Sequence, residues 1–113
     1  MFKMNVGIDL VELDRFSKIL EDTPTFLDKV FHKEEIKKLN VQSIGGKYAA
    51  KEALVKAGVI KPGQWLDVFI DTLDSGKPVV RNRLGIIMKN IDISITHIAS
   101  VAAAVVIYEH ENI

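Results

Sequence analysis

The sequence predicts an α+β domain in which an antiparallel sheet packs on one long helix and several shorter ones. Apolar residues alternate with period two across residues 4–13, small residues recur at helical spacing across 44–57, and strand-like apolar runs dominate from Trp65 onward. The chain has 113 residues, the size of one compact domain, taken here as 1–113. Hydrophobic residues make up 48% of it, enough for a core without staples. A domain this small buries only about two-thirds of its unfolded surface. A deep site for a large ligand is therefore expected to need a second subunit.

Each element has its own signal. In the first strand Val6, Ile8 and Leu10 share one face, and Gly7, Asp9 and Val11 share the other. Asp14 is placed to cap a helix carrying Phe16, Ile19 and Leu20 inward. Thr23-Pro24 opens another helical segment, with proline in a first-turn position. Phe31 to Leu39 reads as further helix anchored by Phe31, Ile36 and Leu39. Ser43 is placed to cap the long helix, 44–57. Ala50, Ala53, Leu54 and Ala57 form its sheet-facing stripe, and Tyr48, Lys51, Glu52, Val55 and Lys56 a second stripe. Gly58 ends it, and Pro62-Gly63 make a turn. Trp65 to Leu73 and Lys77 to Arg81 form a hairpin around Asp74-Ser75-Gly76. Residues 83–90 are a short helix or an irregular connection. Ile91 to His97 and Val101 to Tyr108 are two apolar strands, read as a hairpin.

Composition narrows the chemistry. The absence of cysteine excludes disulfides, thiolate metal sites and a cysteine nucleophile. No segment resembles a signal peptide or approaches the roughly 18 apolar residues of a membrane span, so a cytoplasmic protein is expected, with no membrane partner. The net charge of zero gives no bulk attraction to nucleic acid. Basic residues cluster locally instead, at Lys47, Lys51, Lys56 and Lys61, a pattern suited to a small anionic ligand or to solvated surface. No Walker loop, dinucleotide-binding glycine triplet or serine-hydrolase elbow is present, and the histidines lack zinc spacing.

The candidate residues follow. Asp9 stands in an apolar strand, where an ionised carboxylate is costly unless paired or metal-bound; a strand-end aspartate bonding backbone amides is the other reading. Gly7 beside it would leave room for a ligand. Glu52 sits on the non-alanine face of the long helix. Two carboxylates with phosphate oxygens and waters suit magnesium, although Lys51, Glu52 and Lys56 also read as a solvated face. Lys51 and Lys56 can donate to phosphates, and Lys56 stands one turn beyond Glu52. Lys77-Pro78 is either hairpin chemistry or a ligand contact. His97, preceded by Thr96, is a buried strand-end histidine or a phosphate contact.

Three blocks then resemble the holo-acyl-carrier-protein synthases, the small phosphopantetheinyl transferases. They are Gly7-Ile8-Asp9-Leu10-Val11-Glu12-Leu13-Asp14-Arg15-Phe16, Lys47-Tyr48-Ala49-Ala50-Lys51-Glu52-Ala53-Leu54-Val55-Lys56-Ala57, and Ile93-Ser94-Ile95-Thr96-His97 before an alanine-rich strand. Phe31-His32-Lys33-Glu34-Glu35 and Gly76-Lys77-Pro78 are weaker echoes. Their order agrees along nearly the whole chain.

The resemblance implies the phosphopantetheinyl transferase fold, with transfer of 4′-phosphopantetheine from coenzyme A to a serine of an apo acyl carrier protein. It implies Asp9 and Glu52 as magnesium ligands, with Asp9, Glu52 and Lys56 catalytic. Glu52 would accept the serine proton directly or through a metal-bound water. It further implies coenzyme contacts from Lys47, Lys51, Lys56, Gly58, Lys77, Pro78, Thr96 and His97, and carrier-protein contact from Arg15. A homotrimer with sites at subunit interfaces is implied too. The family usually carries arginine and phenylalanine where Lys47 and Tyr48 stand, and a longer Leu-Gly-Thr-Gly loop where Ala57 to Pro62 stand. The rival readings are a non-catalytic homologue that binds carrier protein or coenzyme A, and a structural domain with ordinary surface charges.

Overall fold

The alternating N-terminal residues form strand β1, Phe2–Glu12, which starts two residues earlier than its pattern suggested. It pairs antiparallel with β5, Val101–Glu111, and β5 pairs antiparallel with β4, Ile91–His97. The resulting order is β1-β5-β4, with the alanine-rich strand in the centre. The structure, a computed structural model, describes residues 1–111. A second, two-stranded sheet pairs β2, Phe69–Thr72, with β3, Pro78–Arg81, around a turn in which Gly76 takes φ 90°. The strand expected from Trp65 begins only at Phe69, because Trp65–Asp67 winds into one 3-10 turn with Asp67 N–H bonded to Gln64 O at 3.1 Å. Residues 83–90 are the irregular alternative. The Asn82 side chain accepts from Leu84 N and Ile86 N, and Gly85 takes φ 80°.

Four helices connect the sheets: α1 (Leu13–Asp22), α2 (Phe26–Val30), α3 (Lys33–Ile36) and α4 (Val41–Lys56). Two caps differ from expectation. Asp14 lies inside the first turn of α1, where its charge still favours the helix dipole. Asn40 caps α4 by accepting from Ser43 N at 2.9 Å, so Ser43 receives the cap instead of making it. The helix expected over 31–39 shrinks to α3, with Lys38 in a left-handed conformation, φ 61°, soon after its end.

Helix α4 covers one face of the three-stranded sheet. Its small stripe is where the spacing placed it, with Ala50, Ala53, Leu54 and Ala57 all sealed from solvent against Ala102, Ala104 and Val106. The approach is set by Gly7, where an added Cβ would overlap the Ala53 carbonyl. Gly7 therefore admits the helix backbone, not a ligand as expected. The other sheet face is bare. Phe2, Met4, Val6, Ile8 and Leu10 are each at least 61% exposed, so the more apolar side of β1 is the uncovered one. Among the described residues no helix is long and apolar enough to cross a membrane.

Candidate active site

Asp9 lies mid-strand on the face turned to α4, opposite Ala104 of β5. Its Oδ1 accepts from Lys56 Nζ at 3.1 Å, and the same ammonium donates to the Ile8 carbonyl at 3.1 Å. The Asp9 side chain is only 17% exposed and that of Lys56 54%, so the pair sits at a surface opening, not in the core. Glu52 stands one helical turn before Lys56 and is half-buried. One turn earlier still stands Tyr48, whose ring stacks on Phe16. Burial first, then the carboxylates of Glu52 and Asp9, hold the phenol well above the ordinary tyrosine pKa. Lys56 is thus paired with Asp9, and Glu52 stands one helical turn before Lys56 on α4.

This donor set suits magnesium. It offers two hard carboxylates, and Lys56 engages only one oxygen of Asp9. Among the described residues no three His, Asp or Glu side chains cluster to enclose a metal. The set fits an ion that keeps its waters and takes further oxygens from substrate phosphates.

Lys51 is a correction. Its spacing put it beside Glu52 as a phosphate donor, yet its side chain has no solvent exposure. Its ammonium donates to Glu35 Oε1 at 2.8 Å and to the carbonyls of Val30, Trp65 and Val68 at 2.7, 2.8 and 3.2 Å. Glu35 is equally buried and also accepts from His32 N and Ile70 N. Burial lowers the Lys51 pKa, and the Glu35 charge counters that shift. The pair ties α4 to α3, β2 and the 3-10 turn, and leaves no proton for a coenzyme.

A second cluster lies elsewhere on α4. Lys47, Pro78 and His97 line a cavity of about 340 Å³ with Gln42, Ser43, Thr72 and Ile95. Lys47 Nζ donates to Glu35 O at 2.6 Å and Ile70 O at 2.9 Å, which leaves one proton for a ligand. Burial lowers its pKa, opposed by Glu35 and Asp71. Gly58, Lys77 and Thr96 do not line this cavity. Gly58 closes α4 at φ 84°, Lys77 reaches Asp92 at 3.8 Å, and the pleat turns Thr96 to the bare sheet face. Arg15 is exposed on α1 and edges an apolar hollow of about 400 Å³ lined by Leu10, Phe16, Ile19 and Tyr48. A further cavity, about 810 Å³, lies between β3 and the 3-10 turn. Its arginines are already committed, Arg81 to Asp71 at 2.9 Å and Arg83 to Asp67 at 2.7 Å.

Three site features escaped the sequence reading: the Glu35 partner of Lys51, the lining by Gln42 and Ser43, and the Tyr48 phenol. Only Tyr48 had a visible signal, its position four residues before Glu52 on one helix face.

The chain belongs to the 4′-phosphopantetheinyl transferase superfamily, whose family model matches residues 5–106. Within it, the chain is similar to the holo-[acyl-carrier-protein] synthases. It is 35% identical to that of Streptomyces avermitilis over 94% of this chain and 97% of that one. It is 42% identical to that of Clostridium novyi over 68% of this chain and 61% of the other. A Bacillus anthracis holo-(acyl-carrier-protein) synthase solved with CoA (3′,5′-ADP) is 27% identical. It superposes with a TM-score of 0.77 over 96% of this chain and 100% of that one.

Proposed function

We propose that this chain is a magnesium-dependent holo-[acyl-carrier-protein] synthase that works in the cytoplasm as a homotrimer. The observation that carries the reading is the Lys56–Asp9 pair at 3.1 Å, with Glu52 one turn before Lys56 on α4, in a chain of the 4′-phosphopantetheinyl transferase superfamily.

The reaction joins the serine oxygen of the apo carrier protein to the β-phosphorus of coenzyme A. The bond from that phosphorus to the bridging pyrophosphate oxygen breaks, and adenosine 3′,5′-bisphosphate leaves. Glu52 accepts the serine proton. Lys56, oriented by Asp9 and the Ile8 carbonyl, faces the negative charge that grows on the leaving oxygen. Magnesium held by Asp9 and Glu52 would supply the remaining charge neutralisation. Lys47 and His97, with Pro78 beside them, contact the coenzyme. Arg15, beside its apolar hollow, meets the acidic carrier protein.

Two features support the trimer with shared sites. Lys47 and Glu52 are five residues apart on α4, about 140° around the helix axis. One chain therefore presents two half-sites facing different ways, and a neighbour is needed to join them. The bare face of β1 with Ile107 of β5 is the kind of apolar surface that monomers rarely leave open.

The test is intact-mass spectrometry of an apo acyl carrier protein incubated with this protein, coenzyme A and magnesium. A gain of one phosphopantetheine, lost on chelation, is expected. No gain with several carrier proteins would favour a homologue that only binds.

A further inference from the structure

Strands β2 and β3 form a two-stranded sheet, so β2 has one edge with no strand beside it. Ile70, opposite Val80, turns both its N–H and its carbonyl to that edge. Two side chains stand there in place of a strand and satisfy the exposed backbone groups. Glu35 Oε2 accepts from Ile70 N at 2.8 Å, and Lys47 Nζ donates to Ile70 O at 2.9 Å. The second acceptor for Lys47 is the backbone carbonyl of Glu35, at 2.6 Å. Glu35 therefore bears on Lys47 twice, through its own carbonyl and through Ile70. Its carboxylate is itself fixed. Glu35 is 1% exposed, and its Oε1 accepts from Lys51 Nζ and His32 N, both at 2.8 Å.

We propose that Glu35 is the positioning residue for the Lys47 ammonium, holding the carbonyls of Glu35 and Ile70 so that the remaining Lys47 proton is preset for an anionic group in the cavity shared with His97. This rests on the function proposed above, in which coenzyme A supplies that group. A free lysine side chain carries much rotamer entropy, and ordering it on binding costs affinity. An ammonium anchored by two carbonyls has lost that freedom on folding. The anchors are neutral, so they leave the positive charge of Lys47 for the ligand. The one carboxylate nearby that would compete for it is instead paired with Lys51. The Glu35–Lys51 pair thus serves the cavity as well as the fold, without either side chain lining it.

Glu35→Gln tests this. Its amide fills the same space, but its NH2 must face either Ile70 N–H or the donors of Lys51 and His32, so one link breaks. Coenzyme A binding to the whole protein, followed by isothermal titration calorimetry, reads the cavity without turnover. The variant is expected to bind coenzyme A about 3- to 10-fold more weakly, the net worth of one hydrogen bond. Its KM for coenzyme A should rise while kcat stays within about twofold. In a Lys47→Met background the same substitution should weaken binding no further. Wild type gives a second readout that needs no variant to fold. In nitrogen-15 relaxation the Lys47 ammonium should be markedly more ordered than that of the exposed Lys89. A Lys47 ammonium as mobile as that of Lys89 would overturn the inference and leave the proposed function standing. So would unchanged coenzyme affinity in Glu35→Gln where Lys47→Met weakens it, or equal weakening by Glu35→Gln with and without Lys47. A wild-type protein that binds no coenzyme A would overturn both.

Discussion

Replacing Lys51 by methionine separates the two roles that its position suggested. The substitution keeps the length of the side chain and removes its charge. It leaves the Glu35 carboxyl without its cation in a site without solvent exposure, and it strips a donor from Val30 O, Trp65 O and Val68 O. Breaking a buried pair by removing one partner costs about 3–5 kcal/mol. A small domain has roughly 5–15 kcal/mol in total, so the loss is a large share of its stability. At about 4 °C or more per kcal/mol, the melting temperature should fall by roughly 12 °C or more. Guanidinium unfolding followed by circular dichroism, at one fixed protein concentration, would measure it. Adding Glu35→Leu should recover part of the loss, giving a coupling of about 2 kcal/mol in the double-mutant cycle. Recovery should be incomplete because His32 N and Ile70 N then lack their acceptor. A loss below about 1 kcal/mol, with transfer activity abolished, would refute the structural role and return Lys51 to the coenzyme.

Other substitutions test the frame. Gly7→Ala should destabilise the fold by about 3 kcal/mol, measured by urea unfolding, because its Cβ meets the rigid backbone carbonyl of Ala53. Val6→Lys, on the bare strand face, should shift sedimentation toward monomer and reduce transfer, although Val6 lies on the face of β1 opposite Asp9. Stability should also fall as the pH rises past about 10, the ordinary tyrosine value. Above it the unfolded chain releases a Tyr48 proton that the folded chain keeps. Urea midpoints at pH 9 and 11 should show this slope, shallower in Tyr48→Phe.

The parts of the fold legible in the sequence were those set by local periodicity. The alanine stripe of α4 and the alternation in β1 each depend on neighbours within a few residues, and both faces came out as patterned. The Glu52–Lys56 relation is a one-turn helical spacing, so it was legible too. Contacts across long separations were not. Lys51 looked like its neighbour Lys56 until folding brought Glu35, 16 residues away, against it. Gly7 looked like ligand space because nothing local says that Ala53, on another element, occupies it. The cap on α4 moved from Ser43 to Asn40 because two good capping residues stood close together and only backbone geometry chose between them. Lys47 and His97 were both candidates, but the cavity they share with Pro78 depends on how β3 and β4 pack against α4.

The central claim is that Asp9 and Glu52 do the chemistry and do not hold the fold. Intact-mass spectrometry of apo carrier protein treated with wild type, Asp9→Ala and Glu52→Ala, alongside their melting curves, tests it most directly. The account predicts transfer by wild type, none by either variant, and native-like melting for all three. Transfer by either variant at a rate near that of wild type would contradict it.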